Sequence, residues 1–224
     1  DWGEMNYLWY PWLWQAGGSL FSEDGSEVAF DGPEGMEAAR FLYELKFTHK
    51  VIPPDAVSQK SMEMFVNYFA AGKALFTLYQ SVAADKVLKK DYPDLNWGYV
   101  TSLKNRDYGT FVAADQLVLM SKAKSPELAF ALMRHLTSGP SMQNFHKYNP
   151  WPPIAKDEPY SGSEIFRKMY AQDSSKLRGL KPVVNSNKVY DVLFRELQTM
   201  MLGERTAEEA VQNAAKMGNS YLND

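Results

Sequence analysis

The sequence predicts an α/β fold that ends in a helical layer. Three observations carry this. Helix-like and strand-like segments alternate up to about residue 148, and every segment after about residue 157 has helical periodicity. Between the two regimes lies NPWPPIAKDEPYSGS, residues 149–163, the stretch richest in Pro, Gly and Ser and the best boundary candidate. At 224 residues the chain can bury a sizeable core without staples. It has no cysteine, which excludes disulfides, thiolate metal sites and thiol nucleophiles and fits either redox compartment.

The first element is aromatic. In NYLWYPWLWQAGG, residues 6–18, Tyr7, Trp9, Tyr10, Trp12 and Trp14 fall within eight positions before Gly17-Gly18 stops the segment. On a helix, Tyr7, Tyr10 and Trp14 project to one side and Trp9 and Trp12 to another. The expectation is that one face supplies the core and the other looks into a cleft. SLFSEDGSEVAF then reads as a short hairpin turning on Glu-Asp-Gly-Ser. In DGPEGMEAARFLYELKFTHKVIPP, Asp31 is the candidate N-cap, with Pro33 near the first helical position and Glu34 as the capping-box acid. Met36, Ala39, Leu42 and Tyr43 share a face, and the helix stops before Pro53-Pro54.

SMEMFVNYFAAG reads as a helix capped at Gly72, followed by a strand at 74–78. SVAADKVLKKDYP is a short helix and LNWGYVTSL a buried-type strand. After the polar turn KNRDYGT comes FVAADQLVLMSK, whose second half is another strand. SPELAFALMRHLTSG has Ser125 as N-cap, Pro126 at the first helical position and Gly139 as terminator. Beyond the boundary, SEIFRKMYAQ is helical. NKVYDVLFRELQTMMLG carries Val189, Val192, Leu193, Leu197 and Met201 on one stripe, and TAEEAVQNAAKMGNSYL starts on a Thr206–Glu209 capping box.

Composition excludes several functions. With 24 basic and 27 acidic residues the net charge is −3, which argues against nucleic acid as a partner. No window is apolar enough to span a bilayer. The start lacks the basic and apolar regions of a signal peptide, so Asp1 reads as a mature or excised terminus. His49, His135 and His146 show no metal-ligand spacing, although His135 and His146 could share a helical face. Ser121–Lys124 matches S-x-x-K, but its companion motifs are missing and a turn explains it. No phosphate-binding glycine loop or nucleophile elbow is present, and no carboxylate pair sits in an apolar context. Neither a cofactor nor a metal is expected. Aromatics at 14% keep a stacking function open, since flat rings with polar edges suit the apolar faces of carbohydrates.

The order of these pieces resembles the extracellular solute-binding proteins of ABC importers, family 1, which are maltose-binding-protein-like. The resemblance rests on WYPWLWQAGGSLFSEDGSEVAFDGPEGMEAARFLYEL, FAAGKALFTLYQS, LVLMSKAKSPELAFALMRHLTSGPSMQNF and AVQNAAKM, in co-linear order over nearly the whole chain. It implies a type II periplasmic-binding-protein lobe, with a small mixed sheet flanked by helices. Such proteins normally carry roughly a hundred or more further residues in front, so the resemblance implies the second lobe of a two-lobed receptor. Residues 1–107 would begin that lobe, 108–156 would cross to the first lobe, and 157–224 would complete the second. Where many relatives carry Gly-x-Trp after the strand, this chain has Gln80-Ser81-Val82, with Tyr79 as the nearest aromatic.

By resemblance, the ligand contacts fall on Tyr7, Trp9 and Trp12 of the aromatic helix and on Tyr79 and Gln80 after the strand. Asp115 in a loop, Trp151 in YNPWPP and Asn187 at the start of a C-terminal helix complete the set. The implied function is binding of a solute, a mono- or oligosaccharide, for uptake through a membrane permease, in the periplasm or anchored outside a bacterial cell, without catalysis. Two alternatives stay open at this level: a carbohydrate-active enzyme or accessory module, and a helical interaction domain whose tryptophans bury against a partner.

Overall fold

The computed structural model describes residues 2–78, 81–113, 115–149, 151–153, 158–160, 162 and 164–223, with the side chains of all of these but 2–6, 81–83, 165, 169 and 172. In chain order the elements are α1 (Trp2–Gln15), α2 (Pro33–Phe47), α3 (Ser61–Met64) running into a π-helical turn (Phe65–Ala70), α4 (Ser81–Asp91) and β1 (Thr110–Phe111). They continue as α5 (Pro126–Leu136), α6 (Gly139–His146), α7 (Glu164–Asp173), β2 (Leu177–Arg178), α8 (Ser186–Met201) and α9 (Ala207–Leu222). Contacts divide the chain into two compact units. One is Asp1–Tyr79, Val100–Val112 and Lys176–Asp224; the other is Gln80–Tyr99 and Ala113–Ser175.

The first unit is built on three helices whose sequences dictate their burial. α8 is amphipathic, and Val189, Val192, Leu193, Leu197, Met200 and Met201 form its buried stripe. α9 answers with small residues, Ala207, Ala210, Val211, Ala214, Ala215 and Gly218, which let the two backbones approach closely. A methyl on Gly218 would already meet Val28 Cγ1 at 3.0 Å. The Thr206–Glu209 box forms as expected: Glu209 N donates to Thr206 Oγ1 at 3.1 Å and Thr206 N to Glu209 Oε2 at 2.9 Å.

α1 is apolar on almost every side, so it is buried on almost every side. Trp9, Tyr10, Leu13 and Trp14 all enter the core. It ends where the glycines stand, in a left-handed C-cap. Gly17 has φ +91°, Gly18 N donates to the Leu13 carbonyl at 2.9 Å, and Gly17 N donates to the Trp14 carbonyl at 3.0 Å. The expected hairpin closes at Phe21 and Val28 around Gly25, whose φ is +76°. The Asn219 side chain accepts a hydrogen bond from Val28 N at 2.8 Å, which ties the hairpin to α9.

Helix starts differ in detail from the sequence reading. Gly32, not Asp31, is the N-cap of α2, because Pro33 takes the first helical position and its missing N–H needs no acceptor. Gly139 opens α6 instead of terminating α5, with Ser138 as N-cap and Pro140 in the first turn. His135 and His146 therefore belong to different helices.

The strand expectations are met least. The described sheet is one parallel pair, β1 with β2, in the register Thr110↔Leu177 and Phe111↔Arg178. The apolar runs at 74–78, 95–103 and 117–120 form no ladder among the described residues, and Leu75 and Phe76 are each 88% exposed. An apolar run signals that a backbone is suited to a sheet; the ladder itself needs a second strand.

The second unit holds α4, α5, α6 and α7. Leu88 of α4 and Phe166 of α7 are buried in it, and Tyr99 meets Phe166 edge-on, centroids 5.1 Å apart. His146 Nδ1 pairs with Glu158 Oε1, and both side chains are almost wholly inaccessible.

Candidate ligand-binding site

α1 and its neighbours determine which of its rings can reach a ligand. Trp9 is fully buried, edge-on to Phe30 at 6.0 Å, and Trp12 packs edge-on against Phe41 of α2 at 5.2 Å. Tyr10 and Trp14 are covered from the other side by Tyr190 of α8 and Phe111 of β1. The expected division into a core face and a cleft face is therefore replaced by burial on both. Partners close in from two directions, α2 and the hairpin on one and α8 and β1 on the other.

Tyr7 is different. Among the described aromatic side chains of α1 it alone lies outside the buried core. Its ring stacks on Phe111 with centroids 4.5 Å apart and planes 9° apart. Pro11, four residues on, has no N–H, so the Tyr7 carbonyl lacks its helical donor. A partly buried phenol and a carbonyl without a helical partner thus sit at one place on the helix.

Asn187 is the second residue of α8 and exposed. The N-cap, Asn185, has φ +60° and makes no side-chain capping bond, so the first-turn amides of α8 lack a side-chain acceptor from their own cap. The phenol of Tyr190, one turn further on, is held above its usual range by burial.

In the second unit Asp115 is exposed. Trp151 is 47% exposed and stands edge-on to Phe145, centroids 5.9 Å apart. Tyr79 and Gln80 lie outside the described residues. Sequence reasoning missed Phe111, which touches Tyr7, Tyr10 and Trp14. The signal was weak: one apolar residue after a polar turn, ahead of a longer apolar run that drew the strand assignment. Among the described residues no cluster of three or more His, Asp or Glu side chains could hold a metal.

The family model described as bacterial extracellular solute-binding protein matches residues 1–142. No curated protein matches the chain by sequence. Solved structures are similar in fold. An ABC-transporter solute-binding protein from Thermotoga lettingae, bound with α-D-tagatose, superposes at TM-score 0.73 and 23% identity over 98% of this chain and 57% of its own. An ABC substrate-binding protein from Listeria monocytogenes, in complex with cycloalternan, gives TM-score 0.70 and 21% identity over 98% and 57%. A cyclo/maltodextrin-binding protein complexed with maltotetraose gives 0.73 and 21% over 97% and 57%. The chain thus spans a little over half the length of the solved proteins it matches. These matches give it the α/β fold of type II periplasmic binding proteins.

Proposed function

The chain belongs to the bacterial extracellular solute-binding proteins, and from that premise we propose that it binds a saccharide for uptake by an ABC importer. The family and the structural neighbours are binding proteins and not enzymes. No helix among the described residues is long and apolar enough to cross a membrane. The observation that carries the saccharide reading is Tyr7: a flat ring, only partly buried, with a hydroxyl at its edge, held in one orientation by Phe111. Such a ring offers an apolar face to sugar CH groups and a hydrogen bond to a sugar hydroxyl.

In this reading Tyr7 and Asn187 contact the ligand in the first unit, and the buried Trp9 and Trp12 hold α1 in place behind Tyr7. Tyr79, Gln80, Asp115 and Trp151 take the contact role that their sequence positions give them. In the whole protein the ligand is captured in a cleft between two lobes that hinge shut, and a membrane permease reads the closed form. Residues 108–156 cross to the first lobe. The exposed apolar side chains of Leu117–Met120 and α5 are the surface on which that lobe packs, which supports the assignment. The protein works outside the cytoplasmic membrane, in the periplasm or anchored to the cell surface.

The test is a titration with mono- and oligosaccharides, read by tryptophan fluorescence and by NMR shifts of the amides around Tyr7. A saturable response to one sugar class, lost in Tyr7→Ala, supports the proposal. A response that Tyr7→Ala leaves unchanged moves the site elsewhere. No response up to the solubility of the sugars removes carbohydrate as the ligand class of this chain.

A further inference from the structure

Phe111 reaches Tyr7 from a very short strand, β1, whose ladder with β2 consists of Thr110 and Phe111. Successive side chains of a strand point to opposite faces. A slip of one residue along α1 would therefore turn Phe111 away from Tyr7 and bring Thr110 or Val112 opposite it. Apolar contact alone does not prevent this, because it is non-directional and Val112 is apolar too. The ladder with β2 fixes the strand against β2, and a separate joint fixes it against the helix.

That joint is Gln15, the last residue of α1 and a polar side chain only 6% exposed. Gln15 Nε2 donates to the Gly109 carbonyl at 2.9 Å, across 94 positions of sequence. The Gln15 carbonyl accepts from Arg106 N and Asp107 N at 2.9 and 3.0 Å, so the loop leading into β1 is held by the same residue. The Arg106 guanidinium adds a bond to the Ala16 carbonyl at 2.9 Å and pairs with Glu37 of α2 at 2.6 Å. The approach is as close as the backbone allows: a Cβ on Gly109 would stand 2.9 Å from Trp14 Cβ. Two residues beyond this joint, Phe111 lies flat on Tyr7.

We propose that Gln15 is a positioning residue of the Tyr7 site. Its amide sets the register of β1 against α1, and Phe111 then covers one face of the Tyr7 ring. The other face and the hydroxyl are left for the ligand. Without the Nε2 donor, the Gly109 carbonyl keeps only the longer bond from Ser102 Oγ, at 3.2 Å, and the strand settles by apolar contact. The effect on affinity rests on the saccharide reading of Tyr7. The effect on the ring is a property of the chain without ligand, and the two are measured separately.

The experiment compares Gln15→Met with the parent and with Val211→Ala, which trims a fully buried side chain of α9 and leaves the Gln15–Gly109 bond intact. Nuclear Overhauser contacts between the Tyr7 and Phe111 rings are read first, without ligand, and a saccharide titration second. Gln15→Met is expected to lose the ring contacts and to weaken binding of the sugar that the parent takes by about fivefold, the worth of one neutral hydrogen bond. Val211→Ala should change neither, although it lowers stability. Gln15→Asn, one methylene short of Gly109, carries the same expectation if methionine prevents folding. Ring contacts kept in the Gln15 variants overturn the proposal, as does their equal loss in Val211→Ala, which would make them a matter of stability alone. Lost contacts with unchanged affinity also overturn it, because the orientation of Tyr7 would then not serve binding. A parent that binds no saccharide removes the saccharide reading by itself, and the ring contacts alone then decide the role of Gln15.

Discussion

Tyr7 lies flat on Phe111, ring centroids 4.5 Å apart and planes inclined by 9°, which joins α1 to the short parallel pair β1–β2. Tyr7→Phe keeps the stack and removes only the hydroxyl. Stability should stay within about 0.5 kcal/mol of the parent. Saccharide affinity should fall roughly fivefold, the value of about 1 kcal/mol for one neutral hydrogen bond. Denaturant unfolding and a sugar titration on the same variant separate the two effects.

Trp9 and Trp151 carry opposite expectations. Trp9 is fully buried against Phe30, so Trp9→Ala should cost about 3–5 kcal/mol, as for other core rings. Trp151 is half exposed and touches Phe145 only edge-on, and its loss should change stability by no more than about 0.5 kcal/mol. Urea melts of the two variants decide this. An unchanged midpoint for Trp9→Ala would contradict its place in the core.

Alanine at two glycines should be costly for different reasons and to different degrees. At Gly35 a Cβ would stand 1.7 Å from the Phe30 carbonyl oxygen, a backbone atom that cannot swing aside. Gly35→Ala should therefore abolish folding of the first unit or shift the start of α2. Gly72 has open space around it but a φ of +72°. Its alanine variant should fold and lose roughly 1–2 kcal/mol, the strain of a left-handed residue with a side chain. Circular dichroism and thermal melts distinguish a lost fold from a lowered midpoint.

Local chemistry was the legible part of the sequence. Gly17-Gly18, the Thr206–Glu209 box and the stripe of α8 depend on residues within a few positions of one another, and each forms as read. Strand pairing was not legible, because Leu117–Met120 announces an apolar backbone but names no partner. The burial of α1 was misjudged for a related reason. Helical spacing separates Trp9 and Trp12 from Tyr10 and Trp14, but what covers each side comes from Phe30, Phe41, Phe111 and Tyr190, up to about 180 residues away. Of the proposed site, the sequence suggested the helix, and the fold leaves Tyr7 as the least buried of its described rings.

Asp24 gives the hairpin a pH dependence with a definite sign. Hydrogen bonds from the Ser26 amide, the Ser26 hydroxyl and the Ser22 hydroxyl lower its pKa to about 2. A depressed carboxylate contributes stability that is present above its unfolded value, 3.8, and lost as pH falls toward 2. Carbon-detected NMR should find the Asp24 midpoint near 2. Over the same range the amides of Ser26 and Glu27 should lose protection from exchange, and in Asp24→Ala this acid-dependent loss should disappear.

His146 and Glu158 make the last prediction, within the second unit. Their side chains are buried, the Nδ1–Oε1 contact is the polar bond made between them, and His146 Nε2 and Glu158 Oε2 have no partner among the described residues. Breaking such a pair strands the remaining group away from water. Glu158→Ala should therefore cost about 3–5 kcal/mol, seen as faster hydrogen exchange throughout α6. Replacing both residues with leucine removes the stranded group along with its partner and should recover most of that loss, because an apolar pair of similar size needs no compensation for desolvation. If the double variant is no more stable than Glu158→Ala, the pair contributes through geometry specific to His146 and Glu158, and burial of a polar group is not what sets its value.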